Sequence, residues 1–219
     1  MRLYQEALKI FECLGDLLWK AATLHEMAYI LRLRGDLDGA MRLYQEALKI
    51  FECLGDLLWK AATLHQMAYI LRLRGDPDGA MRLYQEALEL FERLGDLPWK
   101  GATLREMAYI LRLRGDLDGA MRLYQEALEI FERLGDLRDK AVTLGMMGQA
   151  LWAQGKRGEA IASLWSGLEL LMRLGIEPQT QQAMASDLTR WRGELGAEAF
   201  DRLWRRVTGQ PVPDWLARP

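Results

Sequence analysis

The only two histidines of the 219-residue chain, His25 and His65, stand forty positions apart, and the next two forty-residue steps hold Arg105 and Gly145. A metal pair on a helix needs one-turn spacing, so this interval points to a shared lining and not to ligands. Asp36 and Asp38 form a carboxylate pair that recurs at Asp76 and Asp78 and at Asp116 and Asp118. Each pair falls at a helix start, where capping and the helix dipole account for it. Cys13 and Cys53 occupy one repeated position, which Arg93 and Arg133 take later. A position that accepts arginine lies at or near the surface. Equivalent atoms of stacked helices stand about 10 Å apart, beyond an unstrained disulfide. The thiols therefore read as free, in a reducing compartment, with intermolecular oxidation on storage as the alternative. The glycines follow no phosphate-loop spacing. Residues repeated three times over rarely form the unique constellation that catalysis needs, so no enzyme, catalytic residue, cofactor or metal is expected.

These residues recur because the chain is a repeat. Met1–Ala40 and Met41–Ala80 differ only at Glu26/Gln66 and Leu37/Pro77, Met81–Ala120 is a near copy, and Met121–Ala160 is a weaker one. A fixed period of this length marks a stack of supersecondary units. Acid and base nearly cancel at a formal charge of −2, so no bulk field draws the chain to nucleic acid or membrane. No apolar run approaches the ~20 residues of a membrane span, and no leader is visible.

Two helices fit each unit, one from Asp16 to Gly35 and one from Asp36 to Gly55. Gly suits the left-handed position after a helix, and the following Asp caps the next. Pro77 and Pro98 fall in first turns, where proline is tolerated. In the second helix Ala40, Leu43, Tyr44, Ala47, Leu48, Phe51 and Leu54 share a face. The first helix is apolar on more sides and should lie between neighbours. Ala28 and Ala47 let the axes approach, and Trp19, Trp59 and Trp99 read as packing between units.

The residues Leu24, Met27–Ala28, Leu31, Ala40, Tyr44 and Ala47, with Gly35–Asp36 at the turn, resemble the tetratricopeptide repeat. The pattern recurs at Leu64, Met67–Ala68, Leu71, Ala80, Tyr84 and Ala87, and again from Leu104 to Ala127. The fourth copy reads Leu144, Met147–Gly148, Leu151, Ala160, Leu164 and Gly167. The first-helix aromatic and the repeat-end proline are missing, and the spacing looks like a forty-residue variant. The resemblance implies an all-α fold, a right-handed α-solenoid of antiparallel helix pairs, with the first helices forming its inner wall. It also implies a non-enzymatic protein- or peptide-binding scaffold.

On the first-helix face opposite the second helix, the expected groove residues are His25, Tyr29 and Arg32, then His65, Tyr69 and Arg72, then Arg105, Tyr109 and Arg112. Tyr and Arg concentrate binding energy, and Arg pairs carboxylates with two hydrogen bonds. The expected guest is an acidic peptide bearing aromatic or aliphatic side chains. The alternative is structural: Tyr packs across first helices, and Arg pairs with Glu26 or Asp36 of a neighbour. The lysines and asparagines of the chaperone-binding clamp are missing.

The domain reading is an unpaired second helix at 1–15, repeats at 16–55, 56–95 and 96–135, and a degenerate repeat at 136–175. Capping helices at 176–209 and an extended tail at 210–219 follow. In the cap, Ala183, Leu188 and Trp191 are expected to face inward, with Trp215 of the tail tucked against them. The apolar face of 1–15 lacks a partner, which predicts self-association there or a fragment of a longer chain. The C-terminal stretch also bears a weak likeness to arrays that close bacterial signal-transduction ATPases. That gives an alternative role as a sensor or regulatory domain, in a cytoplasmic setting.

Overall fold

The computed structural model describes residues 1–217, which hold twelve helices and no strand. They fall into two compact units, Met1–Glu106 and Met107–Pro219. The first contains α1 (Arg2–Leu14), α2 (Leu17–Leu33), α3 (Leu37–Leu54), α4 (Leu57–Leu73), α5 (Pro77–Leu94) and the start of α6 (Leu97–Leu113). The second contains the rest of α6, then α7 (Leu117–Leu134), α8 (Leu137–Ala153), α9 (Arg157–Leu174), α10 (Pro178–Leu195), α11 (Ala197–Thr208) and α12 (Asp214–Ala217). Consecutive helices pack as antiparallel pairs, the all-α arrangement expected of the repeat.

Two alternating turns cut the helices. After α3, Gly55 adopts φ 70° and the Asp56 N–H reaches the Phe51 carbonyl at 3.0 Å. A Cβ at that φ would be strained, which explains glycine there. The Asp56 carboxylate then accepts from the Trp59 N–H at 3.1 Å and starts α4. At the other turn Asp36 accepts from the Gly39 N–H at 2.8 Å. Pro77 opens α5, where its missing N–H is not needed.

In the first unit Ala28, Ala40, Tyr44, Ala47 and Phe51 are fully buried, and α2 lies against α3 while α3 also meets α4. Lys60 ties three helices together through Glu52 at 3.1 Å and Glu86 at 2.9 Å. In the second unit glycine replaces alanine at the closest approaches. A Cβ on Gly167 would lie 2.5 Å from the Ala141 carbonyl oxygen, and one on Gly148 would lie 2.9 Å from the Leu164 Cβ. Leu33 and Leu54, at helix ends, stay exposed.

The C-terminal helices differ from expectation in two places. In α10 the inward stripe is Met184, Leu188 and Trp191, whereas Ala183 is exposed. Positions 184, 188 and 191 keep a helical stripe that 183 leaves by about 100°, and Met184 also fills the space over Gly145. The tail is not extended throughout: Asp214–Ala217 forms a helical turn. Its pinned residue is Leu216, at 1% exposure, while Trp215 is 43% exposed. No described helix is long and apolar enough to cross a membrane.

Candidate functional site

The expected groove residues separate into two groups. His25 and His65 do not line an open face; both are buried. His25 meets the Tyr44 ring edge-on at 5.0 Å and the Trp59 ring at 5.2 Å. Its Nδ1 lies 3.0 Å from the Thr63 hydroxyl, which donates its own proton to the Trp59 carbonyl at 2.7 Å. The hydroxyl oxygen must therefore accept, which assigns the imidazole proton to Nδ1. His65 repeats the arrangement with Tyr84, Trp99 and Thr103. Burial lowers the His25 pKa to about 4. Burial, with the charges of Arg105 and Arg32, lowers that of His65 to about 3. These neutral rings join one repeat to the next. The reason lies in the helix wheel: position 25 faces the following first helix, where Trp59 and Thr63 close over it.

Tyrosine and arginine form the second group. In the first unit the Arg32 guanidinium lies 4.8 Å from the Tyr29 ring centre and 4.8 Å from that of Tyr69. Arg72 lies 4.5 Å from the other contact of the ladder, the Tyr69 ring. Rings and cations thus alternate, each cation attracted by the ring faces. Tyr29 is exposed, Tyr69 and both arginines are half-buried, and Arg105 is half-buried near His65. Burial raises the phenol pKa of Tyr44 against the charge of Arg32. Burial and the Glu106 carboxylate raise that of Tyr84 against Arg72. Arg72 Nε pairs with Glu106 Oε2 at 3.2 Å, the structural pairing the sequence left open. Asp38 is engaged as well, by Arg74.

In the second unit Arg112 stacks on Tyr109 at 5.0 Å. It opens on a cavity of about 320 Å³ that it lines with Gln149, Trp152, Ala153, Asp187, Arg190 and Trp191. Asp187 accepts from Gln149 at 2.7 Å and from Arg190 at 2.6 Å. Trp152 and Trp191 stack at 4.3 Å. Sequence reasoning missed this cavity because three of its residues lie in α10, outside the repeat. Cys13 and Cys53 are exposed free thiols, as their exchange with arginine implies. Among the described residues no cluster of three or more potential metal-ligating side chains occurs.

Alternating helix pairs, small residues at crossings and left-handed glycines define a helical-repeat protein. The tetratricopeptide repeat pattern matches residues 19–93, 59–133 and 99–172. The chain belongs to the tetratricopeptide repeat family, whose members are generally protein-interaction scaffolds. No curated protein matches the sequence. Among solved structures it is similar to BtubC (BKLC) from P. vanneervenii, at 20% identity and TM-score 0.76, covering 97% of this chain and 92% of that one. A putative kinesin light chain of Podosopora anserina with nearly identical TPR-like repeats gives 17% identity, TM-score 0.64 and coverage of 86% and 93%. Aspartyl phosphate phosphatase F from Bacillus subtilis gives 13% identity and TM-score 0.75, covering 95% of this chain and 64% of that one. These likenesses concern the fold.

Proposed function

We propose that the chain is a non-enzymatic scaffold that binds an acidic peptide or protein segment through its tyrosine–arginine face. The carrying observation is the ladder Tyr29–Arg32–Tyr69–Arg72, in which stacking holds half-buried guanidinium groups in place. Fixed, partly desolvated arginine lowers the ordering cost of binding a carboxylate. Tyr109 and Arg112 offer the same pair in the second unit. His25 and His65 support the face from beneath and do not contact the guest. Exposed free thiols suit a cytoplasmic setting. The test replaces Arg32, Arg72 and Arg112 together with Gln and follows anisotropy of a short fluorescein-labelled peptide rich in Glu and Leu. Binding should be lost while the helical circular dichroism persists. Undiminished binding rejects the reading.

Self-association is a second reading, favoured by one observation. Leu3, Ile10 and Leu14 of α1 are 72%, 57% and 71% exposed, and Trp19 beside them is 58% exposed. Such a patch marks a contact surface, here for a second copy. Sedimentation velocity at micromolar concentration should show a dimer that Leu3→Glu with Ile10→Glu dissolves. A monomer at every concentration removes this reading.

A further inference from the structure

Three arginines occupy one repeated position, each preceded by Tyr-Ile-Leu, but their surroundings differ. Arg72 has a carboxylate within the chain, Glu106, with its Nε 3.2 Å from Oε2. The residue thirty-four positions on from Arg32 is Gln66, and from Arg112 it is Met146. Neither can supply the charge. Among the described residues Arg32 and Arg112 accordingly have no carboxylate partner; the Nε of all three arginines is buried without a well-aligned hydrogen bond, and only that of Arg72 has a carboxylate against it. The carboxylate beside Arg112, Asp187, is already held by Gln149 and Arg190.

Building on the acidic-guest reading above, we infer that Arg32 in the first unit and Arg112 in the second are each a socket for an acidic side chain, whereas Glu106 occupies the equivalent socket at Arg72. The argument is electrostatic. A half-buried guanidinium has lost hydration and, without an ion partner, recovers little of that cost. A carboxylate that arrives from outside makes charge-assisted, bidentate hydrogen bonds and restores the loss. At Arg72 an arriving carboxylate must displace one that is tethered at high effective concentration. The nearly identical surroundings of Arg32 and Arg72 thus differ in the internal counter-ion, Gln66 against Glu106, and Arg112 lacks that counter-ion because Met146 stands in its place. The ring stack is common to all three sites, so it orients the arginines without selecting among them.

The test uses the full chain and the same Glu/Leu peptide. Gln66→Glu gives Arg32 an internal partner and should weaken binding about tenfold, the scale of one charge-assisted hydrogen bond. Glu106→Gln frees Arg72 and should tighten binding several-fold. Gln45→Glu, on the exposed face of α3, adds the same charge and should leave affinity within about twofold, as a distant screened charge does. If Gln66→Glu and Glu106→Gln both leave affinity unchanged while the triple Arg→Gln variant loses it, the sockets are rejected and the binding face stands. If the wild-type chain does not bind the peptide, the face itself fails. The sockets are then tested by NMR of the arginine Nε–Hε groups during titration with N-acetylglutamate. Shifts at Arg32 and Arg112 but not at Arg72 support the assignment; equal shifts at all three, or none, overturn it.

Discussion

Helix α1 and the last thirteen residues of α3 have one sequence, Arg-Leu-Tyr-Gln-Glu-Ala-Leu-Lys-Ile-Phe-Glu-Cys-Leu, in opposite surroundings. Both are helical, and both end on a left-handed glycine, Gly15 and Gly55. In α3 the residues Tyr44, Ala47 and Phe51 are fully buried between α2 and α4. In α1 no residue is buried, because its main contact is with α2 on one side. The difference teaches that local sequence sets the helix and its apolar face, whereas neighbours decide whether that face is covered. An isolated helix of this length is marginal in water, so the two copies should differ most where packing matters.

The largest expected effect follows. Phe51→Ala removes a fully buried ring stacked on Trp59 at 5.5 Å. It should cost about 3–5 kcal/mol. Phe11→Ala removes a half-buried ring 6.0 Å from the exposed Trp19. It should cost no more than about 1 kcal/mol, in the range of ordinary surface changes. Urea unfolding followed by far-ultraviolet circular dichroism measures both. Equal losses would break the comparison and would mean that α1 is covered in solution, as the self-association reading requires.

What could be read beforehand divides along the same line. Asp16, Asp36 and Asp56 as helix starts, and Gly15, Gly35 and Gly55 as stops, were legible because turn chemistry is local. The inward stripe of α3, with Ala40, Tyr44, Ala47 and Phe51, was legible from its period. Ala183 was misplaced because in α10 an exposed Ala precedes the inward Met184 and nothing local tells the two apart. His25 is expected in the groove because it lies on the first-helix face opposite the second helix, and the repeat pattern does not show what covers that face. Its partners Trp59 and Thr63 come from a helix thirty-odd residues later. The Arg32, Arg72 and Arg112 positions were visible from the repeat, but the cavity beside Arg112 depends on Asp187, Arg190 and Trp191 in a segment without a repeat to guide it.

The histidines sharpen the comparison at an intermediate scale, because only the packed interior contains them. Their native pKa values are lowered to about 4 and about 3 from an ordinary 6.5. Between those values the unfolded chain binds more protons than the native one, so stability rises with pH. The contribution is complete above about pH 6.5 and is lost as the pH falls toward the native values. Each histidine should then cost about 1 kcal/mol per pH unit over the window. Urea midpoints at pH 5, 6 and 7 should slope for the wild type and flatten for His25→Gln with His65→Gln. A wild-type slope that survives both substitutions would place the acid sensitivity elsewhere.

The smallest effect is the most discriminating, since it should be the same at both places. Asp16 caps α2 through the Trp19 N–H at 3.1 Å, and Asp56 caps α4 through the Trp59 N–H at 3.1 Å. Trp19 is exposed, whereas Trp59 is half-buried against Phe51 and His25. The cap bond itself is local, satisfying an N–H that has no partner within the helix. Asp16→Ala and Asp56→Ala should therefore each cost about 1 kcal/mol, read as lost amide exchange protection in the first turns of α2 and α4. If Asp56→Ala costs as many times more than Asp16→Ala as Phe51→Ala costs relative to Phe11→Ala, the cap depends on packing. The separation of local from tertiary effects drawn from α1 and α3 then fails.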